Sequence, residues 1–461
     1  MSETVIELDL SVPWEPPEPP APRRRLRTRW VAVAAVLAVT LGLLVAGGPR
    51  SGAGLLYTIE HQVLRAQVAG GRLYLARYQA TGPGPVIEAH RLSDGKLLWE
   101  REAELPQQLL VAGPDVVILM SEDRSSSGDS NAFVILDAAT GKELWSRAGV
   151  RFDGTNPAVV VVEDAQDEPV GMIYQFGDDD DAGVNHAFVQ PQRRIRGLAL
   201  RTGATVWDVT VPEGSDVNFS WENPFQSRLN RFDVLSRTGQ LTRHDARTGA
   251  MTETHQLDWS GASAMFSAGW LDGSGRPADR IVVYPDGQRG ADVYDLGTGR
   301  LLFRWPGART SGLFRCTATL FCAGGDDGLD AVDSTTGERR WHVEEHEVVV
   351  GFAGVRLLLG AYREPSSLQP GQLGIVDSRT GTVVKKLTGW NVLTGGDQPV
   401  LWRPLDTRTA LLGRLDPSTG LVTVFARATD WFGNPECSVD NGALACVVVG
   451  GLSVWRLPNP R

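Results

Sequence analysis

Apolar residues in this chain come in short runs that are separated by a recurring polar turn. The run Val116–Leu119 is typical, because four consecutive apolar and mostly β-branched residues favour a strand over a helix. The turn is clearest in LDAATGKELW at residues 136–145. Its glycine recurs at intervals of 38 to 62 residues, at Gly95, Gly141, Gly203, Gly249, Gly299, Gly337, Gly381 and Gly420. Periods of this size indicate a propeller or a solenoid built from similar units.

The polar residues of the repeat predict a tight hairpin turn. Asp137, Thr140 and Gly141 represent the pattern, in which Asp stands four residues before the glycine in six copies and Thr directly before it in seven. A short polar side chain can accept bonds from backbone N–H groups two or three residues ahead, and glycine supplies the positive φ at which the chain reverses. Each copy therefore joins two antiparallel strands.

A large side chain follows the glycine by four residues in most copies. The aromatic examples are Trp99, Trp145, Trp207, Phe303 and Trp341. Because a strand presents alternate residues to one face, this constant offset places each ring at the same point on its sheet, where it can pack between neighbouring sheets. Glu253 replaces the aromatic residue in the fourth copy and Lys385 in the seventh, so we expect those two units to pack through neighbouring side chains.

The repeated pattern D-x-x-T-G-x-x-x-W resembles the tryptophan-docking repeat of the quinoprotein-like (PQQ-like) β-propeller superfamily, over about residues 55–457. The resemblance implies an all-β fold of four-stranded sheets around an axis, commonly eight of them. The 52 Gly and 27 Pro among 461 residues also disfavour long helices beyond the N-terminal segment. We predict eight sheets, with seven or nine as alternatives. Pairing of Leu55–Glu60 with the terminal runs Gly442–Val449 and Leu452–Leu457 would close the ring.

The N-terminal region predicts a membrane anchor. Residues 30–48 contain no charged side chain and nearly span a hydrocarbon core of roughly 30 Å as a helix. Five arginines precede this segment and only Arg50 follows it closely, so residues 1–29 are predicted to be a cytoplasmic, disordered Pro/Arg-rich tail. A linker at 49–54 then leads to an extracytoplasmic propeller at 55–457. A cleaved signal peptide is the alternative, but the long leader favours an uncleaved single-pass anchor.

The four cysteines fit an oxidising compartment. Cys316 and Cys322 bracket one short segment, and Cys437 and Cys446 bracket another. Equivalent placement in two repeats favours two local disulfides among three possible connectivities. A metal site formed by all four cysteines is the alternative, although the chain contains no C-x-x-C spacing.

Net charge and basic composition limit the partners. The chain carries a net charge of −10, and an acidic exterior repels nucleic acid, so we expect no nucleic-acid partner. Lys96, Lys142, Lys385 and Lys386 are its four lysines, and the preference for arginine is typical of a GC-rich bacterial genome. With the resemblance above, this composition suggests a membrane-anchored protein of the actinobacterial envelope type.

Catalytic and metal-binding motifs receive little support. His342-Val-Glu-Glu-His346 matches the H-x-x-E-H zinc motif, but it follows Trp341 on a predicted strand, where four residues span about 13 Å, too far for both imidazoles to bind one metal. We therefore assign no catalytic, cofactor-binding or metal-ligating residue. The longest interval between turns contains an acidic run that could contact a partner, formed by Asp178, Asp179, Asp180 and Asp181.

These observations predict a non-catalytic scaffold that binds an unknown envelope protein or ligand and needs no cofactor. The superfamily offers a second hypothesis, a PQQ-dependent quinoprotein oxidoreductase. The resemblance implies that such an enzyme uses a disulfide of two adjacent cysteines, which this chain does not have. A third hypothesis is a sensor that signals through the cytoplasmic tail, whose proline-rich stretch Val12–Pro20 would be extended.

Overall fold

The described part of the chain covers the repeat region. In the computed structural model, the residues described are 54–79, 84–103, 107–122, 131–164, 191–223, 228–259, 264–267, 279–285, 290–306, 313–325, 328–344, 346, 348–353, 356–360, 372–394, 399–416, 418–433, 435–440 and 442–458. The predicted tail at 1–29, the predicted anchor at 30–48 and the acidic run at 178–181 lie outside the described residues.

The described residues form strands and turns, numbered β1 to β36 in chain order. The strands of the first half are β1 Gly54–Ile59, β2 Val63–Ala69, β3 Arg72–Arg77, β4 Val86–Arg91, β5 Leu97–Glu102, β6 Gln107–Ala112, β7 Val116–Glu122, β8 Asn131–Asp137, β9 Glu143–Arg147, β10 Val150–Thr155, β11 Val159–Asp164, β12 Arg193–Ala199, β13 Thr205–Val211, β14 Asp216–Asn223, β15 Arg228–Leu235, β16 Gln240–Asp245, β17 Met251–Gln256 and β18 Ala264–Ser267. The strands of the second half are β19 Arg280–Pro285, β20 Ala291–Asp295, β21 Leu301–Trp305, β22 Leu313–Arg315, β23 Leu320–Gly325, β24 Gly328–Asp333, β25 Arg339–Val343, β26 Val348–Ala353, β27 Arg356–Gly360, β28 Gln372–Asp377, β29 Val383–Thr388, β30 Asn391–Thr394, β31 Val400–Pro404, β32 Thr409–Asp416, β33 Leu421–Thr429, β34 Cys437–Asp440, β35 Ala443–Val448 and β36 Gly451–Arg456.

These strands form nine antiparallel sheets of four strands within the described residues. The first eight sheets follow chain order, from β2–β5 to β30–β33, and the ninth has the order β1-β36-β35-β34. One parallel bridge, between Thr155 of β10 and Arg228 of β15, links the third and fourth sheets. Apart from that bridge, successive sheets meet through side chains, in apolar clusters that each combine residues of two neighbouring sheets.

The prediction of eight sheets is wrong, and the alternative of nine is the number that the described residues form. Eight sheets contain a copy of the turn, including the weak fourth and seventh copies. Those copies lack the aromatic residue but keep the residues that make the hairpin, such as Asp245 and Gly249 in the fourth sheet and Asp377 and Gly381 in the seventh. The ninth sheet combines the two ends of the repeat region.

Closure through the chain ends is confirmed. Gly54 of β1 pairs with Arg456 of β36, so β1 is the fourth strand of the ninth sheet. The first strand of that sheet is β34, a segment of four residues that pairs with β35 and that the sequence pattern did not predict. Its sequence, Cys-Ser-Val-Asp, is too short and too mixed in polarity to show a strand pattern.

The connectivity defines two faces of the ring. First strands of neighbouring sheets contact one another: β2 contacts β6, and β14 contacts β18. The first strand of each sheet therefore lies toward the axis. Because the strands are antiparallel, the Asp-x-x-Thr-Gly turns and the loops between first and second strands lie on one side, the turn face. The loops between second and third strands and the links between sheets lie on the other side, the connection face.

The described residues contain no helix that is long and apolar enough to cross a membrane.

Candidate functional site

The polar residues of the repeat form the turn. Asp137 accepts hydrogen bonds from the backbone N–H of Ala139 at 3.1 Å and of Thr140 at 3.0 Å, and from the Thr140 hydroxyl at 2.9 Å. A hydrogen bond from Arg201 and those from Thr140 hold the pKa of Asp137 below its usual value. Gly141 has a φ of 69°, in the left-handed region that favours glycine.

The repeat tryptophans pack on the turn of the next sheet. The indole N–H of Trp99 donates to the carbonyl of Ala138 at 3.0 Å, and a Cβ on Gly141 would lie 2.5 Å from the Trp99 ring. Glycine is therefore needed both for the turn and for this contact. The same N–H bonds to the following turn are made by Trp145, Trp207 and Trp341.

Other residues stand in place of the tryptophan at several junctions. Tyr57 of the ninth sheet packs on Gly95 and so completes the ring, and the aliphatic stem of Lys385 lies against Gly420. In the fourth sheet, Arg243 donates from Nε to Asp233 at 3.0 Å and from Nη1 to Glu253 at 2.6 Å. Glu253 therefore forms part of a chain of ion pairs across the strands of its own sheet, and it does not take the tryptophan's place against the next turn.

Both predicted disulfides are confirmed. Cys316 is bonded to Cys322 and Cys437 to Cys446. Both bonds lie within the hairpin of the first and second strands, in the sixth and ninth sheets respectively. Cys437 of β34 is directly opposite Cys446 of β35, whereas Cys316 directly follows β22. The cysteines are thus paired locally.

The two histidines of the H-x-x-E-H sequence have separate surroundings. His342 lies on β25, and its Nδ1 is 2.9 Å from a carboxylate oxygen of Asp330 on the neighbouring strand. His346 is buried, with its ring against Gly374 of the seventh sheet. No group of three metal-ligating side chains occurs among the residues that the structure describes, and Glu345 lies outside them.

A buried charged cluster in the third sheet has no counterpart in the repeat pattern. Arg151 donates from Nε to Asp153 at 3.1 Å and from Nη2 to Glu163 at 2.5 Å. Arg193 lies beside Glu163 and donates to the Ser215 carbonyl at 2.9 Å. The side chains of Asp153 and Glu163 are only 5% and 7% exposed, whereas Arg151 is 41% exposed. The cluster is therefore buried between strands and reaches solvent through Arg151.

A β-bulge positions Asp153 in this cluster. The register between β10 and β11 shifts between Phe152 and Gly154, so Asp153 is the extra residue of the bulge. The same shift occurs in the first strands of four other sheets, where the extra residues are Leu64, Leu110, Val350 and Leu393. At this repeated position, the third sheet thus carries a carboxyl group where these four sheets carry an apolar side chain.

Burial changes the acidity of Asp153. It raises the pKa of Asp153 to about 7, since Arg151 only partly offsets the loss of water and nearby Glu163 adds to the rise. Near neutral pH, this carboxyl group is therefore divided between its protonated and ionised forms. Its Oδ2 atom has no hydrogen-bond partner in the described part of the chain.

The link between the third and fourth sheets extends the cluster on the connection face. Ser215 is 1% exposed, and its hydroxyl has no partner among the described residues. A Cβ on neighbouring Gly214 would lie 1.7 Å from Nε of Arg237, so the absence of a side chain lets the guanidinium pack on the link. Arg237 Nε and Nη2 and Arg193 Nε are also buried without acceptors in this part of the chain. We call Arg151, Asp153, Glu163, Arg193, Ser215 and Arg237 the junction cluster.

Sequence reasoning missed the junction cluster because its members come from three strands and two loops. One signal was present, since charged residues interrupt otherwise apolar strands, as Glu163 does after Val159–Val162. Comparing the repeats strand by strand would have found Asp153. The predicted contact element, Asp178–Asp181, falls in the sequence between Asp164 at the end of β11 and Arg193 at the start of β12, outside the described residues.

Fold and repeat together define an all-β propeller with nine four-stranded sheets in the described residues, and its repeat resembles that of the PQQ-like superfamily. A family model described as outer membrane protein assembly factor BamB matches residues 29–171. That match covers less than a third of the chain.

Three solved structures to which the chain is similar are a BamB protein, an alcohol dehydrogenase and a computational design. BamB from Moraxella catarrhalis is 16% identical, with a TM-score of 0.37 and coverage of 88% of this chain and 100% of that one. Quinohemoprotein alcohol dehydrogenase from Comamonas testosteroni is 12% identical, with a TM-score of 0.42 and coverage of 89% and 79%. The computationally designed Ika8 protein is 13% identical, with a TM-score of 0.37 and coverage of 87% and 98%. No curated protein matches the chain. At these values, none of the similarities assigns an activity.

Proposed function

We propose that this protein is a non-catalytic propeller, anchored in the cell membrane and located outside the cytoplasm, that serves as a scaffold for an envelope protein or ligand. The observation that carries the proposal is the pair of disulfides, because such bonds form and persist in oxidising compartments. The charge-free segment at 30–48, with arginines before it, supports the anchor and its orientation.

The predicted contact element suggests which face meets the partner. Asp178–Asp181 fall in the sequence between Asp164 at the end of β11 and Arg193 at the start of β12, and both of these strand ends lie on the connection face. We therefore propose that the connection face is the one presented to the partner.

Photo-crosslinking in whole cells tests both parts of this proposal. One variant carries the crosslinking residue at Arg194 near the connection face, and a matched control carries it at Arg339 near the turn face, since the two side chains are 56% and 62% exposed. We expect a discrete adduct from position 194, and we expect it to weaken when Asp178–Asp181 are replaced by Asn. An adduct from position 339 alone would reverse the assignment of faces.

A second measurement separates the scaffold from the quinoprotein alternative. The purified full-length protein is mixed with pyrroloquinoline quinone, calcium and an alcohol, and reduction of a dye is followed. We expect no dye reduction above that of the cofactor alone. Sustained dye reduction, together with no adduct from either position, would overturn the proposed function.

A further inference from the structure

The junction cluster contains an imbalance of hydrogen-bonding groups. Four of its five unpartnered buried atoms can donate, namely Arg193 Nε, Ser215 Oγ, and Nε and Nη2 of Arg237, and Asp153 Oδ2 is the fifth. Buried polar groups are normally paired, and an unpaired donor costs about 1–3 kcal/mol. A concentration of such groups at one place therefore points to acceptors supplied from outside the described residues.

These atoms lie close together on the connection face. Arg193 bonds the backbone carbonyl of Ser215, and Arg237 packs on Gly214, the residue before it. Arg193 and Arg151 both contact the Glu163 carboxylate, and Arg151 also bonds Asp153, so these side chains form one connected group. The site is thus built around one link, from both the third and the fourth sheet.

The chemistry of the donors selects the ligand. The Nε and Nη2 atoms of a guanidinium form an edge that matches the two oxygens of a carboxylate. A carboxylate brings acceptors and no donors, so it matches the N–H and O–H groups of Arg193, Ser215 and Arg237. Glu213 lies two residues before Ser215 and Asp216 directly follows it, and together with Glu163 they disfavour a ligand that carries several negative charges.

We propose that the junction cluster binds a small ligand through a single carboxylate group, with Arg193, Ser215 and Arg237 as the donors. The site differs from the protein-contact surface proposed above, and it does not depend on the location or the anchor of the protein. Two sources share this chemistry, the C-terminal carboxylate of a peptide and the carboxylate of a uronic acid sugar.

Calorimetric titration of the full-length protein tests the site. The probes are N-acetyl-alanyl-alanine, its C-terminal amide, D-glucuronate and inorganic phosphate. We expect at least one carboxylate probe to bind with a Kd below about 1 mM and the amide to bind at least about tenfold more weakly. The preferred carboxylate probe identifies the source. Equal binding of the peptide and its amide, tightest binding of phosphate, or no binding of any probe would overturn the proposal.

Three variants locate the binding. Ser215→Ala and Arg237→Gln should each weaken the preferred carboxylate probe by about tenfold, because each removes a donor. Arg339→Gln on the turn face is the matched control and should bind as the parent does. Unchanged binding by a folded Arg237→Gln protein would contradict the site. If that variant fails to fold, Ser215→Ala, which removes only one hydroxyl, decides the matter with the melting temperature as a check of folding.

Discussion

The junction of the first and second sheets and the junction of the third and fourth are alike on the turn face and different on the connection face. Trp99 and Trp207 make the same contact with the next turn, through bonds of 3.0 and 3.2 Å. Away from the turn, the first junction is filled by apolar residues such as Tyr74 and Leu109, whereas the second contains the junction cluster. The repeat therefore explains how sheets are joined, and departures from it mark candidates for function.

Removing the shared contact should have the largest effect. Trp99→Ala and Trp207→Ala should each lower the free energy of unfolding by about 3–5 kcal/mol, since each deletes a buried aromatic side chain. The two losses should be similar because the contact is the same at both junctions. Urea denaturation of both variants measures them. A loss confined to Trp99→Ala would show that the junction cluster, rather than the tryptophan, holds the third and fourth sheets together.

Breaking the charged cluster should cost slightly less. Glu163→Gln leaves Arg151 and the buried Arg193 without their shared carboxylate, so we expect a loss of about 3 kcal/mol in the free energy of unfolding. Glu143→Gln is the control, because Glu143 forms a solvent-accessible pair with Arg101. Its loss should stay below about 1 kcal/mol. Equal losses in both variants would mean that the buried cluster contributes no more to stability than an exposed ion pair does.

The pH dependence of stability should distinguish the two junctions further. The pKa of Asp153 rises from 3.8 to about 7 on folding, so the folded protein retains a proton that the unfolded chain releases. Stability from this residue is therefore present at low pH and is lost as the pH rises toward 7. Melting temperatures between pH 5 and 8 should fall less steeply for Asp153→Asn than for the parent protein. Parallel curves would contradict the shifted pKa.

The smallest effect should come from a junction that has lost the aromatic residue. Lys385→Ala removes the aliphatic stem that lies on Gly420 together with its ammonium group, and we expect a loss below about 1 kcal/mol in the free energy of unfolding. Denaturation beside Trp99→Ala gives the comparison. A loss as large as that of the tryptophan variant would show that a lysine stem can replace the ring fully.

Much of the fold was predictable because the residues that form each turn lie close together in the sequence. Asp137, Thr140 and Gly141 interact within one turn, and such local contacts depend only on neighbouring residues. The disulfide pairing was predictable for the same reason, since each bond spans one hairpin. The number of sheets was not, because β34 and β1 are recognised as strands only by pairing with partners far away in the chain.

The junction cluster could not be predicted as a site. Arg193 and Arg237 are separated by more than forty residues, and nothing in the spacing of either shows that both lie beside Gly214 and Ser215. The H-x-x-E-H sequence shows the converse, because its two histidines are close in sequence and have unrelated surroundings. Proximity in sequence is informative only once the strand geometry is known.

By itself, the sequence determined the repeating turn, the aromatic contacts between most sheets and the choice of cysteine partners. These features depend on short-range bonding and on the alternation of residues along a strand, which hold in every copy. Tertiary structure decided the ninth sheet, the closing contact of Tyr57 on Gly95 and the junction cluster. Those features depend on which distant strands become neighbours, and that is settled only when the ring closes and each sheet acquires two flanking sheets.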